Sequence, residues 1–169
     1  GRLLAARPLN GAGSEKDTRH VIFRPEDAAF AYEVGDSLGV QALNCPEVVD
    51  AVIEQLGAQP DVAVECPDRI TRPLREALLS ACDIGRPSDM AIEVLASRAI
   101  NPDESQRLQA LAEGYPGAGP ENADLLELLQ TFPSARPPVQ ELISSLSVLQ
   151  PRLYSISSSP KAVKNAVHL

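Results

Sequence analysis

Tryptophan is absent from this chain, and three Phe and three Tyr bring the aromatics to only 4% of its 169 residues. A core must then be built mainly from Leu, Ile, Val and Ala, as in helix-rich proteins. Cysteine is limited to Cys45, Cys66 and Cys82. An odd count gives no disulfide framework, and the spacing fits no zinc or iron–sulfur pattern. The three read as reduced structural thiols in a reducing compartment. Apolar runs stop well short of the ~20 residues that a membrane span needs. The N-terminus lacks the ordered charged and apolar regions of a signal peptide. Basic residues are outnumbered 15 to 23, for a net charge of −8, and no Lys/Arg cluster stands out. That argues against nonspecific binding to nucleic acid or to an anionic membrane. The balance suits a cytoplasmic protein, and it is also compatible with docking onto a basic partner.

What is present is globular in composition, 44% hydrophobic and 22% charged, rather than disordered. The length allows one ordinary domain, or one domain with an insertion. Both ends read as interior positions of a longer chain. Gly1 is not an initiator Met, and Asn165-Ala166-Val167-His168-Leu169 looks like a strand still under way.

Three zones follow one another. Residues 1–44 carry strand signals. Residues 3–9 form a short apolar run ending at the turn dipeptide Asn10-Gly11. A polar loop leads to His20-Val21-Ile22-Phe23-Arg24, β-branched and aromatic and hence a strand. After a turn near Pro25 comes Tyr32-Glu33-Val34-Gly35-Asp36-Ser37-Leu38-Gly39-Val40, read as a further strand broken by glycines.

Residues 45–149 carry helix punctuation. Pro46 suits a first helical position. Val48, Val49, Val52, Ile53 and Leu56 make an apolar stripe that Gly57 ends. A second helix is expected from about Thr71-Arg72-Pro73, burying Leu74, Leu78 and Ala81. A third follows Ser88 as N-cap, with Ile92, Leu95 and Ala99 inward. Asn101-Pro102 opens a fourth, carrying Leu108 and Leu111. After a Gly/Pro-rich loop at 114–120, Leu125-Leu126-Glu127-Leu128-Leu129 continues the pattern. A last helix begins near Pro137-Pro138 and buries Val139, Leu142, Ile143 and Leu146. Short helices of this kind persist only by packing on one another. From Pro151 onward strands return, at 152–156 and 166–169. The economical reading is an α+β protein, a β domain with an all-α insertion.

The sharpest chemical signal is Arg152-Leu153-Tyr154-Ser155-Ile156-Ser157-Ser158-Ser159-Pro160. Arginine is an always-charged fork that binds a pyrophosphate bidentately. Tyrosine two residues on points to the same side of a strand, where its ring can lie on a flat heterocycle. Ser155 adds a hydroxyl, and the run from Ser157 to Ser159 supplies more small donors. Together these are what FAD needs: a positive group, a flat platform and polar contacts at the reactive edge. Taken alone, the tetrapeptide also occurs by chance, and a strand tyrosine is more often core or one of a cross-strand pair. His20 and His168 lack ligand spacing and read as strand residues. No Ser/His/Asp order is persuasive, no metal site is expected, and the carboxylates read as solvated helix faces.

In context the sequence resembles the FAD-binding region of diflavin reductases, the bacterial sulfite reductase flavoprotein alpha components in particular. Four stretches carry the resemblance in order: Leu9-Asn10-Gly11-Ala12-Gly13-Ser14-Glu15-Lys16-Asp17-Thr18-Arg19-His20; Tyr32-x-x-Gly35-Asp36-x-x-Gly39-Val40-x-x-x-Asn44; Leu126-x-Leu128-Leu129-x-x-Phe132-Pro133-Ser134 with Pro137-Pro138; and the stretch from Arg152 to Ser159. It implies a partial antiparallel β-barrel of the FAD-binding, ferredoxin-reductase type over 1–44 and 150–169. Residues 45–149 would be a helical connecting domain. Arg152 would pair with the FAD pyrophosphate, Tyr154 would pack on the isoalloxazine, and Ser155 would be the catalytic residue, near the ring nitrogen that accepts hydride. Ser157 would add a cofactor contact, while Tyr32, Gly35 and Asp36 would be structural.

The intact protein would be an NADPH-dependent reductase with FMN and NADPH domains in the same chain. It would pass electrons to a hemoprotein, in sulfite reduction first of all. A P450-type acceptor, nitrate assimilation, or a noncatalytic docking module are the alternatives. Ala42 and Leu43 stand where the family often has proline. A second phosphate-binding motif and a Gly-x-Gly-x-x-Gly fingerprint are missing from the chain. The chain alone is therefore expected to bind FAD weakly and not to turn over.

Overall fold

The computed structural model describes residues 1–169 except Ala28. In chain order the elements are strands β1 (Arg2–Pro8), β2 (Arg19–Arg24) and β3 (Ser37–Val40), helix α1 (Pro46–Leu56), strands β4 (Ala63–Glu65) and β5 (Thr71–Pro73), helix α2 (Leu74–Ser80), and strand β6 (Cys82–Asp83). Helices α3 (Asp89–Arg98), α4 (Pro102–Ala112), α5 (Leu125–Thr131) and α6 (Val139–Ser145) follow, then strands β7 (Ser147–Val148), β8 (Arg152–Ser155) and β9 (Val167–His168). The fold is thus mixed α and β, with small antiparallel sheets. The chain divides into two compact units, Gly1–Gln41 with Pro151–Leu169, and Ala42–Gln150.

In the first unit β1, β2 and β9 form one sheet in that order, and β3 and β8 form a separate ribbon. The polar loop between β1 and β2 is clasped at its neck. Leu9 N–H donates to Thr18 O at 2.8 Å, and Thr18 N–H donates to Asn10 Oδ1. The pairing of β1 with β2 slips between Leu3 and Ala5, which leaves Leu4 as a bulge. The stretch Tyr32-Glu33-Val34 is not strand. Asp36 N–H donates to Glu33 O at 3.2 Å, and Gly35 has φ +105°. That is a turn with glycine at the position whose positive φ disfavours a side chain. Asp36 Oδ2 accepts from Glu33 N–H at 2.8 Å, the local bond expected of a structural Asp36. The strand therefore starts only at Ser37.

The second unit is helical but not all helix. β4 pairs with β5, and β6 with β7. Thr71-Arg72-Pro73, expected to open a helix, is a strand, and the helix begins one residue later at Leu74. The cause is local, because a residue preceding proline is pushed out of the helical region toward extended backbone. Elsewhere the punctuation acts as expected. Gly57 ends α1 with φ +61°. Ser88 Oγ accepts from Ala91 N–H at 3.2 Å, and Asn101 Oδ1 from Asp103 N–H at 2.9 Å. A capping box starts α5, where Asp124 accepts from Glu127 N–H at 2.8 Å and Glu127 from Asp124 N–H at 3.2 Å.

Phe132, Leu74, Leu78, Leu95, Leu108 and Leu142 lie fully buried in one apolar cluster. Cys66 and Cys82 belong to it as free thiols, and burial pushes the Cys82 thiol up to about 12. Cys45 is exposed. The unit's two ends meet at the end of α2. Asn44 N–H donates to Leu79 O at 2.9 Å and Leu149 N–H to Ala81 O at 2.8 Å. Asn44 Nδ2 also donates to Leu78 O at 2.6 Å, a carbonyl that the end of α2 leaves open, and to Cys82 O in β6 at 2.8 Å. No described helix is long and apolar enough to cross a membrane.

Candidate cofactor site on the Arg152–Ser155 strand

The strand β8 is held by β3 in antiparallel register, with Ser37 opposite Ser155, Leu38 opposite Tyr154, Gly39 opposite Leu153 and Val40 opposite Arg152. The pleat puts Arg152 and Tyr154 on one face, about 7 Å apart along the strand. Leu38 and Val40 flank them across the ribbon, both half-buried. Leu153 and Ser155 leave from the other face. At Gly39, an added Cβ would meet Leu153 Cδ2 at an ordinary 3.6 Å.

All four β8 residues are exposed, Tyr154 by 44% and Leu153 by 75%. Among the described residues the Arg152 guanidinium makes no ion pair, whereas Arg19, Arg69, Arg72, Arg75 and Arg98 do. An exposed guanidinium without a carboxylate, and a ring open to solvent on the same face, match what a pyrophosphate and a flat heterocycle require. The donor set fits an FAD.

The structure thus brings Arg152 and Tyr154 together. Ser155 sits next to them at the strand's end but turns to the opposite face. Ser157 lies beyond the strand, exposed, with its backbone N–H donated to His168 O at 2.8 Å. Between them Ile156 is buried, and its N–H extends the ladder to Asp36 O at 2.9 Å. The serine run does not act as one set of free donors. Ser158 is 8% exposed, and its hydroxyl is engaged with Tyr32 Oη at 2.7 Å and with the His168 N–H at 3.1 Å. Ser159 turns inward on its own loop, where its Oγ accepts from Lys161 N–H at 3.3 Å.

One pairing had no signal in the sequence. His20 Nε2 and His168 Nδ1 lie 3.2 Å apart, with their rings edge to face. The pairing of β2 with β9 puts them on one face as diagonal neighbours. A cavity of about 550 Å³ in the same unit is lined by Arg24, Phe30, Tyr32 and Lys164 among others, and none of Arg152, Tyr154, Ser155 or Ser157 touches it. The β8 face is a platform rather than a pocket, and chemistry rather than concavity marks it.

The whole chain, residues 1–169, matches the FAD binding domain family. It is 36% identical to the sulfite reductase [NADPH] flavoprotein alpha-component of Bacillus subtilis (strain 168), over 95% of this chain and 27% of that protein. The protein of the same name from Photorhabdus laumondii is 35% identical over 99% of this chain and 27% of its own length. The NADPH–cytochrome P450 reductase of Rattus norvegicus is 32% identical over 98% of this chain and 27% of the reductase. The chain thus spans about 27% of the length of these curated relatives. A match along its full length shows that this chain belongs to the FAD binding domain family.

Proposed function

We propose that this chain is the FAD-holding portion of an NADPH-dependent diflavin oxidoreductase. The observation that carries the reading is the open β8 face, with an Arg152 that makes no ion pair among the described residues and an exposed Tyr154 on a strand held by β3. Arg152 clamps the pyrophosphate through a bidentate fork. Tyr154 lays its ring against the isoalloxazine, worth about 0.5–1.5 kcal/mol beyond the area buried. Ser155 offers its Oγ–H at the ring edge where hydride arrives, and Ser157 supplies a further polar contact. Bound FAD supplies the conversion of a two-electron hydride from NADPH into single-electron transfers.

The reading extends to the whole protein. FMN and NADPH domains belong to the same chain, electrons leave to a hemoprotein, and the location is cytoplasmic. Residues 1–44 and 150–169 are part of an antiparallel barrel of the ferredoxin-reductase type, and residues 45–149 are the connecting domain. Sulfite reduction is favoured as the destination because relatives at 36% and 35% identity carry that name. A P450-type acceptor is the second reading, favoured by the relative at 32%. Substituting Arg152→Ala in the full-length protein and titrating FAD by flavin absorbance tests the site, with about tenfold to hundredfold weaker binding expected. Unchanged binding would remove Arg152 from the site. Mixing the reduced protein with a sulfite-reducing hemoprotein or with a P450 separates the acceptors, by which one accepts electrons.

A further inference from the structure

Three segments meet at one buried hydroxyl. Ser158 lies just past the end of β8, Tyr32 lies in the lead-in to β3, and His168 lies in β9. Ser158 Oγ shares a 2.7 Å hydrogen bond with Tyr32 Oη and accepts the His168 N–H at 3.1 Å. The Tyr32 hydroxyl also reaches Ala166 O at 3.5 Å. A reciprocal bond runs the other way, from Ser157 N–H to His168 O at 2.8 Å. The hydroxyl therefore stands where a backbone carbonyl would continue a ladder, and it lets β9 grip the exit of β8. Ile156 and Val167 lie on either side in sequence, and both are buried. A hydroxyl removed from water and fully partnered fixes geometry more strongly than an exposed one, because any displacement leaves a buried polar group unpaired.

The position matters because β3 and β8 are the ribbon that presents Arg152 and Tyr154. Tyr32 is tied before the entrance to β3, through the 33–36 turn, and Ser158 is tied after the exit of β8. Both strands of the ribbon are thereby pinned at one end, where Ser37 faces Ser155.

We propose that Ser158 is a positioning residue for the FAD site, acting through the Tyr32 hydroxyl and the His168 amide to set where Tyr154 and Ser155 stand at that end of the ribbon. This rests on the reading that β8 holds FAD. Ser158 touches no cofactor in this role, and the serine run is divided between one residue open to solvent, Ser157, and one that fixes the frame.

The test uses the full-length protein with three readouts: FAD affinity, the visible circular dichroism of the bound flavin at saturating FAD, and the thermal midpoint. Ser158→Ala is expected to weaken FAD binding by about tenfold, the size of one lost buried hydrogen bond, and to alter the flavin dichroism. Ser158→Thr, which keeps the hydroxyl, recovers most of both. Tyr32→Phe removes one oxygen and is expected to change the same two readouts in the same direction. The double variant is expected to do no worse than the larger single one, since both act through one contact. Should Ser158→Ala fail to fold, Tyr32→Phe carries the test by the same criteria. A lowered midpoint with unchanged affinity and dichroism overturns the proposal and leaves Ser158 merely structural. If both variants bind FAD normally while Arg152→Ala does not, the positioning role fails and the site stands. If Arg152→Ala also binds normally, the site reading fails and this proposal falls with it.

Discussion

The two units of this chain spend their side chains differently. The Ala42–Gln150 unit holds every buried apolar side chain among the described residues except Ile156 and Val167. Each buried Leu or Ile there contributes roughly 1.5–3 kcal/mol. The other unit leaves β1 almost wholly exposed, with Leu3 and Leu4 in the open, and leaves β8 exposed along its full length. Its ordering rests on ladder hydrogen bonds and on the buried polar contact at Ser158. One region is held by an apolar core, and the other by strand pairing with its faces open. If β8 holds FAD as proposed, substitutions should separate stability from binding.

The largest effect expected is Phe132→Ala. It empties a fully buried site and should cost about 3–5 kcal/mol by urea denaturation, with the FAD affinity of the folded fraction preserved. A parallel loss of FAD affinity would break the separation. Tyr154→Ala is expected to do the opposite. It removes a ring that is 44% exposed, so stability should stay within about 0.5 kcal/mol while FAD affinity falls about tenfold by titration. A smaller effect follows from Asp124→Ala, which deletes the capping box of α5 and should lower stability by about 1 kcal/mol in the same urea assay.

The smallest concerns pH. Arg72, bonded to Asp68 at 2.8 Å, holds that carboxyl below its ordinary value. A depressed carboxylate stabilises the fold above its unfolded value, near 4. That contribution is lost as the pH falls through the lower folded value. Urea midpoints measured from pH 7 down to pH 3 should therefore drop less steeply in Asp68→Asn. Superimposable pH profiles would show the pair to be inert.

What the sequence revealed was governed by distance along the chain. The start and end of α1 were legible because Pro46 and Gly57 act on their own neighbours. Ser88 and Asn101 announced their caps for the same reason. The box Asp124-x-x-Glu127 was equally local, but it was hidden behind the leucines that follow it. Three-residue strands such as β4 and β5 carry too little periodicity to register. At the candidate site, the period of two along a strand was enough to put Arg152 beside Tyr154. It gave no hint that Ser158 would be taken by Tyr32, or that His20 would meet His168. Those contacts join residues far apart in sequence and exist only once strands have paired.

The meeting of Asn44 and Leu149 at the end of α2 has a kinetic meaning. Val40 and Arg152 are register partners in the ribbon, yet the whole Ala42–Gln150 unit lies between them in the chain. Bringing them together from an unfolded chain means closing a long loop against its entropy, and such pairings form slowly. Once the helical unit has folded, Asn44 and Leu149 are already both fastened to the end of α2. Folding should therefore run from the leucine core of the helical unit first to the β3–β8 ribbon last.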